Sequence, residues 1–146
     1  MPALQDKLLT PANRPNLVKD CARLIDDEVD KKSGFSGLAI KGAFKVVKGV
    51  KPGFIEGVID HLLDQWVGKL EGHYARFVEK GQGTFGAFAA ADAHGVAEKL
   101  LEVTDAVAQK GEHKTVASLY HKLRPGAKEH VSVAVPGLGR IVDKYL

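Results

Sequence analysis

Residues 53–80 read GFIEGVIDHLLDQWVGKLEGHYARFVEK, and this stretch decides the fold class. Apolar side chains recur there at steps of three and four residues, which places them on one side of an α-helix. The members of this stripe are Ile55, Val58, Ile59, Leu62, Leu63, Trp66, Val67, Leu70, Tyr74, Phe77 and Val78. A helix with such a long apolar face needs other helices to cover it, so we predict that it lies at the centre of the molecule.

Helical periodicity continues on both sides of this central segment. Asn13, Ser36 and Asp92 can each cap a helix, and the residue before Pro52 disfavours one. The segments with helical spacing are about 3–9, 14–32, 36–49, 53–80, 84–91, 92–110, 115–123 and 125–145. We therefore predict an all-α protein, a single domain over residues 1–146 that forms an irregular bundle of six or seven helices.

Composition and charge describe an ordinary globular chain with an uneven surface. The 146 residues are 45% hydrophobic and 27% charged, which excludes disordered and collagen-like classes. The net charge of +3 is concentrated, because residues 31–51 hold six lysines and no acid. Residues 110–146 hold seven Lys or Arg against three acids. This segregation favours an anionic partner.

The sequence also predicts where the protein resides. Its one cysteine, Cys21, permits no disulfide within the chain, which fits a reducing compartment. The first residues lack the basic start and apolar run of a secretory signal. No stretch approaches the roughly 20 apolar residues that cross a bilayer. We expect a soluble, cytoplasmic protein.

A row of lysines runs along the helix predicted at 36–49. Lys41, Lys45 and Lys48 fall within about 60° of one another on a mostly apolar helix. One interpretation is a helix packed by neighbours on most sides, with its lysines reaching water. The alternative is a helix that lies on an anionic membrane surface. We favour the packed helix, because the chain supplies enough amphipathic helices to cover it.

An acidic and histidine cluster lies on the polar side of the central helix. Glu56, Asp60 and Asp64 step by four residues, and His61 is one turn from Asp64. Together they could hold a divalent metal or act as acid and base, which makes a metal protein or enzyme the alternative function. A solvated charged face explains them more simply, so we predict no metal, cofactor or catalytic residue.

Glycines supply two further patterns. Gly68 and Gly72 lie away from the apolar stripe, and glycine in a helix predicts close approach by another helix or by a second subunit. Residues 81–86 match GxGxxG, but a helix precedes them where a dinucleotide site needs a strand, so we predict a helix end and a turn. His73 lies in the apolar stripe and is predicted to be buried with a hydrogen-bond partner.

Several short strings in this order resemble a family of small bacterial proteins of unknown function. The strings are Pro11–Pro15, Lys31–Leu38, Val50–Gly53, Val103–Ala106 and Lys128–Val131 leading into Pro136. The resemblance covers nearly the whole chain. It implies a bacterial, intracellular protein and carries no activity, cofactor or catalytic residue.

Taken together, these patterns favour a non-enzymatic helical protein that acts through its surface. We expect it to self-associate or to bind an anionic partner through Lys41, Lys45 and Lys48 or the face of Gly68 and Gly72. Sparse arginine, and aromatic residues placed on core stripes, argue against specific nucleic-acid recognition. We also expect the apolar side chains to be used in joining the helices, with no dedicated cavity left for chemistry.

Overall fold

The computed structural model describes residues 3–111 and 113–146, without the side chains of residues 35 and 36. Within these ranges the protein is all-α and contains no strand, as predicted. The seven helices of the described residues are α1 Leu4–Leu8, α2 Arg14–Lys31, α3 Gly34–Lys48, α4 Phe54–Lys80, α5 Phe85–Ala90, α6 Ala93–Lys110 and α7 Lys114–Asp143.

Helix α4 is the centre of the bundle, which confirms the prediction from its apolar stripe. It packs against α1, α2, α3, α5 and α6. The short helix α1 is anchored to it twice, because Leu4 and Leu8 are buried and the backbone N–H of Leu4 donates to Glu71 Oε1 at 2.7 Å. Helices α2, α4, α6 and α7 form a ring, since each packs against the next and α7 closes on α2.

The C-terminal third differs from the prediction. Instead of separate helices at 115–123 and 125–145, α7 is one helix of 30 residues, longer than the 27 residues of α4. It contains both Pro125 and Pro136. Each proline removes a backbone hydrogen bond, but both lie on the exposed side, where water can reach the unpaired carbonyl groups of the preceding turn. Packing along α5 and α6 holds the helix together across them.

The expectation that α3 is covered on most sides is wrong. The helix begins at Gly34 after the N-cap Ser33, not at Ser36, and it lies at the edge of the bundle against α2, α4 and α7. Ala43 is its one buried apolar residue among those described. Its opposite face is open to solvent. The helices that were expected to cover α3 instead pack against each other in the ring of α2, α4, α6 and α7.

The close helix approach also lies elsewhere than predicted. A Cβ built on Gly68 meets nothing within 4 Å, and one on Gly72 meets only the end of the Arg76 side chain at 3.6 Å. The tight crossing is between α5 and α7, where a Cβ on Gly139 would lie 2.6 Å from the Cα of Gly86. None of the described helices packs closely on the face of Gly68 and Gly72, and its use by a second subunit stays a prediction.

None of the described helices is both long enough and apolar enough to cross a bilayer.

Candidate functional site: the outer face of α3 and an interior cavity

The outer face of α3 exposes apolar side chains beside lysines. Leu38 is 71% exposed and Val46 is 48% exposed, and Val50, just beyond the helix end, is 40% exposed. At 100° per residue these three positions span an arc of about 120°. Lys45 and Lys41 border that arc on one side, and both are exposed. We call the arc and its lysine border the α3 outer face.

The third predicted lysine is engaged within the chain. Lys48 Nζ lies 2.6 Å from Asp26 Oδ1 on α2, and its ammonium lies 4.9 Å from the ring centre of Phe44. The hydrogen bond to Asp26 raises the pKa of Lys48 above its ordinary value. Lys48 therefore helps to hold α3 against α2, whereas Lys41 and Lys45 belong to the outer face.

Arg14 binds two aspartates of the acidic cluster on α4. Its Nε lies 2.8 Å from Asp60 Oδ1, its Nη1 lies 2.9 Å from Asp64 Oδ1, and its Nη2 donates to the carbonyl of Asp60 at 2.7 Å. Glu56 and His61 are exposed on the same helix. Among the residues that the structure describes, no group of three His, Cys, Asp or Glu side chains is arranged to hold a metal ion. The two aspartates thus join the start of α2 to α4.

A cavity of about 300 Å³, partly open to solvent, lies between the four helices of the ring. Its walls are almost entirely apolar and come mainly from α2, α4, α6 and α7, with Leu8 of α1 and Ile40 of α3. It is not the enclosed chamber with converging ionisable groups that would contradict the expectation of no dedicated cavity for chemistry, because its lining is apolar and it is partly open. Periodicity does not reveal such a space, because an apolar stripe that lines a space has the same spacing as one that fills it.

Two of the polar residues that line the cavity are hydrogen-bonded within the protein. The Trp66 indole N–H donates to the carbonyl of Leu100 at 3.1 Å, and the Thr104 hydroxyl bonds to Tyr120 at 2.7 Å. Burial raises the pKa of the Cys21 thiol to about 11, so it stays protonated at neutral pH. Glu28 differs from Trp66 and Thr104, because its Oε1 is buried and has no hydrogen-bond partner among the residues that the structure describes.

A second, more polar cleft of about 540 Å³ lies between the end of α4 and α5. His73 reaches it and is 1% exposed, as its place in the apolar stripe predicted. His73 Nε2 lies 3.0 Å from Asp92 Oδ2, and this hydrogen bond lowers the pKa of Asp92. Arg76 and Lys80 also line the cleft. The partner predicted for His73 is thus the residue that precedes α6.

The Gly81–Gly86 segment is a helix end followed by a turn, as predicted. Gly81 has φ of +71° and ends α4, and Gly83 has φ of +76°. Gly86 serves packing, because its N–H donates to Asp143 Oδ1 at 3.0 Å beside the crossing with Gly139. Each glycine is explained by backbone geometry without a bound phosphate.

Comparison with known proteins places the chain in a family. A family model described as "Family of unknown function (DUF6918)" matches residues 4–146. The chain belongs to this family. No curated protein and no solved structure matches it. The function of this DUF6918 protein must therefore be argued from its own α3 outer face, cavity and cleft.

Proposed function

We propose that this protein is a non-enzymatic peripheral protein that binds an anionic membrane surface through the α3 outer face. The observation that carries the proposal is the exposure of Leu38, Val46 and Val50 beside Lys41 and Lys45. The proposal keeps the anionic partner that the charge pattern predicts. It replaces the packed-helix interpretation of α3 with the membrane-surface alternative.

The apolar arc supports the proposal because it is concentrated on one helix. Single exposed apolar residues are common on protein surfaces and need no explanation. Here three lie along one arc of about 120°, separated by the small residues Gly42 and Gly49. A helix of this kind inserts its apolar side chains between lipid head groups while the bundle stays in water.

Charge supports an anionic lipid surface in particular. Residues 31–51 contain six lysines and no acid, so Lys41 and Lys45 have no negative neighbour on their own helix. A lysine close to an anionic membrane contributes about 1 kcal/mol to binding. The two border lysines therefore add about 2 kcal/mol to the contribution of the apolar arc.

The same face is less suited to self-association. In a two-fold dimer through the arc, Lys41 and Lys45 of one copy would approach the same residues of the other. Like charges brought together oppose association, whereas anionic head groups offset them. Self-association through this face thus becomes an outcome of the test below. A cytoplasmic location fits the proposal and the single free thiol.

Vesicle flotation tests the proposal. We expect the protein to float with vesicles of phosphatidylcholine and phosphatidylglycerol at 7:3 but not with pure phosphatidylcholine, and to be released by salt because the attraction is screened. The double variant Lys41→Gln/Lys45→Gln should lose most of this binding. The matched control Lys19→Gln/Lys122→Gln removes two exposed lysines elsewhere and should retain it.

Two results would overturn the proposal. One is a failure of the vesicle assay, either because the protein does not bind the anionic vesicles or because the control variant loses as much binding as Lys41→Gln/Lys45→Gln. The other is a dimer in sedimentation equilibrium without lipid that Leu38→Ala/Val46→Ala converts to monomer. That result would assign the α3 outer face to a second copy of the chain.

A further inference from the structure

We infer that the apolar cavity between the four ring helices binds a medium-chain fatty acid, with the alkyl chain inside and the carboxylate at the opening beside Lys32 and His130. Three observations carry the inference: the apolar walls of the cavity, its opening to solvent, and these two basic side chains in its lining. The inference goes beyond binding to a membrane surface and does not depend on it.

The volume sets the length of the alkyl chain. At about 300 Å³ the cavity is twice as large as an engineered apolar cavity of about 150 Å³ that takes up one benzene molecule. By that ratio it holds roughly twelve non-hydrogen atoms, about the number in decanoate. A flexible chain can also bend to follow the irregular space between helices.

The walls suit an alkyl chain better than they suit water. Water stays in a protein interior where it finds two to four polar partners. Most of the lining is aliphatic and offers none, as with Leu24, Ile25 and Leu63. The indole N–H of Trp66 is already bonded to a backbone carbonyl of α6. An alkyl chain therefore becomes buried here without leaving a hydrogen bond unmade.

The register of α2 and α7 places Lys32 and His130 at the same end of the cavity. The two helices run antiparallel, because Leu24 lies against Gly137 and the last residues of the chain bond to the first half of α2. Lys32 follows Leu24 by about two turns, and His130 precedes Gly137 by about two turns. Both side chains are partly exposed, so a carboxylate beside them keeps contact with water.

Lys32 supplies the positive charge for the carboxylate. It forms no ion pair with any residue that the structure describes. A carboxylate that accepts from an ammonium group forms a charge-assisted hydrogen bond, which is stronger than a bond between neutral groups. His130 can donate a ring N–H to the same carboxylate, whether its imidazole is neutral or charged.

Glu28 lines the same space, but its carboxylate is already engaged. Lys31 Nζ lies 3.0 Å from its Oε2, and its Oε1 is buried beyond the reach of a ligand. The ammonium of Lys31 offsets the negative charge of Glu28, so the charge left over at this end is that of Lys32. An anionic head group therefore meets a cation here, whereas a cationic head group meets repulsion.

Trp66 provides a direct readout. It is the only tryptophan in the chain and it lines the cavity, so its fluorescence reports on occupancy without a label. We would titrate the full-length protein with decanoate, 1-decanol and decylammonium in buffer at pH 7.5, below micelle-forming concentrations and without vesicles. We expect a saturable 1:1 change with decanoate. Decylammonium should bind at least about tenfold more weakly, because Lys32 repels its head group.

Variants separate the head group from the alkyl chain. Lys32→Gln removes the cation and should weaken decanoate about fivefold to tenfold without affecting 1-decanol, which carries no charge. Lys32→Arg keeps the charge and should retain decanoate binding. His130→Phe removes the second donor at similar size and should weaken decanoate about threefold.

Two further variants test the position of the site. Ala134→Leu places a larger side chain in the cavity wall and should weaken both decanoate and 1-decanol. Lys19→Gln removes an exposed lysine elsewhere on α2 and is the matched control for Lys32→Gln, so it should change neither. Circular dichroism verifies that each variant remains helical.

Several results would overturn the inference. The cavity is refuted as the site if decanoate produces no saturable change or if Ala134→Leu leaves its binding intact. The fatty-acid class is refuted if decylammonium binds as tightly as decanoate, or if Lys32→Gln leaves decanoate binding unchanged or weakens 1-decanol equally. Because no lipid surface is present, failure here leaves the vesicle result unaffected, and the two proposals fail separately.

Discussion

Three aspartates are fixed by hydrogen bonds that join one helix or segment to another. Asp20 accepts from Tyr145 at 2.6 Å, Asp92 pairs with His73 at 3.0 Å, and Asp105 accepts from Arg124 Nε at 2.8 Å. These hydrogen bonds are the largest cause of the lowered pKa of each carboxyl. A carboxyl whose pKa is lowered by folding stabilises the native state above its ordinary pKa, and that contribution is lost as the pH falls.

We therefore predict that the protein loses stability in acid. The free energy of unfolding, from urea titrations between pH 7 and pH 3, should decrease below about pH 4. Asp105→Asn should lower it at pH 7 and reduce its dependence on pH, because Arg124 and Tyr120 lose their charged acceptor. Asp27→Asn, on the exposed side of α2, is the control. An unchanged pH dependence in Asp105→Asn would contradict the assignment.

Spacing along a helix predicted which residues are buried but not which residues meet. The apolar stripe correctly predicted that His73 is buried. The prediction that Asp60 and Asp64 lie on the exposed side of α4 was also correct. Their partner Arg14 is 46 residues away from Asp60, and nothing in a local pattern connects the two. Glu28 was overlooked for the same reason. Its Oε1 is buried without a hydrogen-bond partner among the described residues, which only the packed structure reveals.

The crossing of α5 and α7 depends on two glycines. We predict that Gly139→Ala lowers the free energy of unfolding by about 1–3 kcal/mol, because the added Cβ would lie 2.6 Å from the backbone of Gly86. Gly68→Ala on α4 is the matched control. It meets open space and replaces glycine in a helix, so it should raise stability by up to about 1 kcal/mol. Chemical denaturation of both variants measures these changes in the free energy of unfolding. Equal changes in the two variants would contradict the close crossing of α5 and α7.

The bounds of the helices were largely predictable from the sequence, whereas the packing of one helix against another was not. Periodicity located α2, α4 and α6 closely because each has a long apolar stripe and a clear end. It divided α7 at Pro125, because the rule against proline inside a helix assumes that the lost hydrogen bond is not offset by packing. Periodicity also predicted incorrectly that α3 is covered on most sides, since a mostly apolar helix has the same spacing whether its second face is packed or exposed.

The molecule as a whole is a ring of four helices that is not filled. Helices α2, α4, α6 and α7 each pack against two of the other three, and the apolar cavity lies between them. Natural cores are closely packed, and an unfilled space lowers stability in proportion to its volume. A cavity of about 300 Å³ is therefore the feature that most needs a functional explanation. Binding of an apolar ligand supplies one.

The stability of Ala134→Leu tests the cavity most directly. Ala134 lies in its wall on α7, and leucine adds three carbon atoms toward the empty space with little change in helix propensity. We predict that the variant raises the free energy of unfolding in urea by about 1 kcal/mol, as cavity-filling substitutions do. A loss of about 1–3 kcal/mol, the result of forcing extra atoms into a full core, would show that the ring has no cavity.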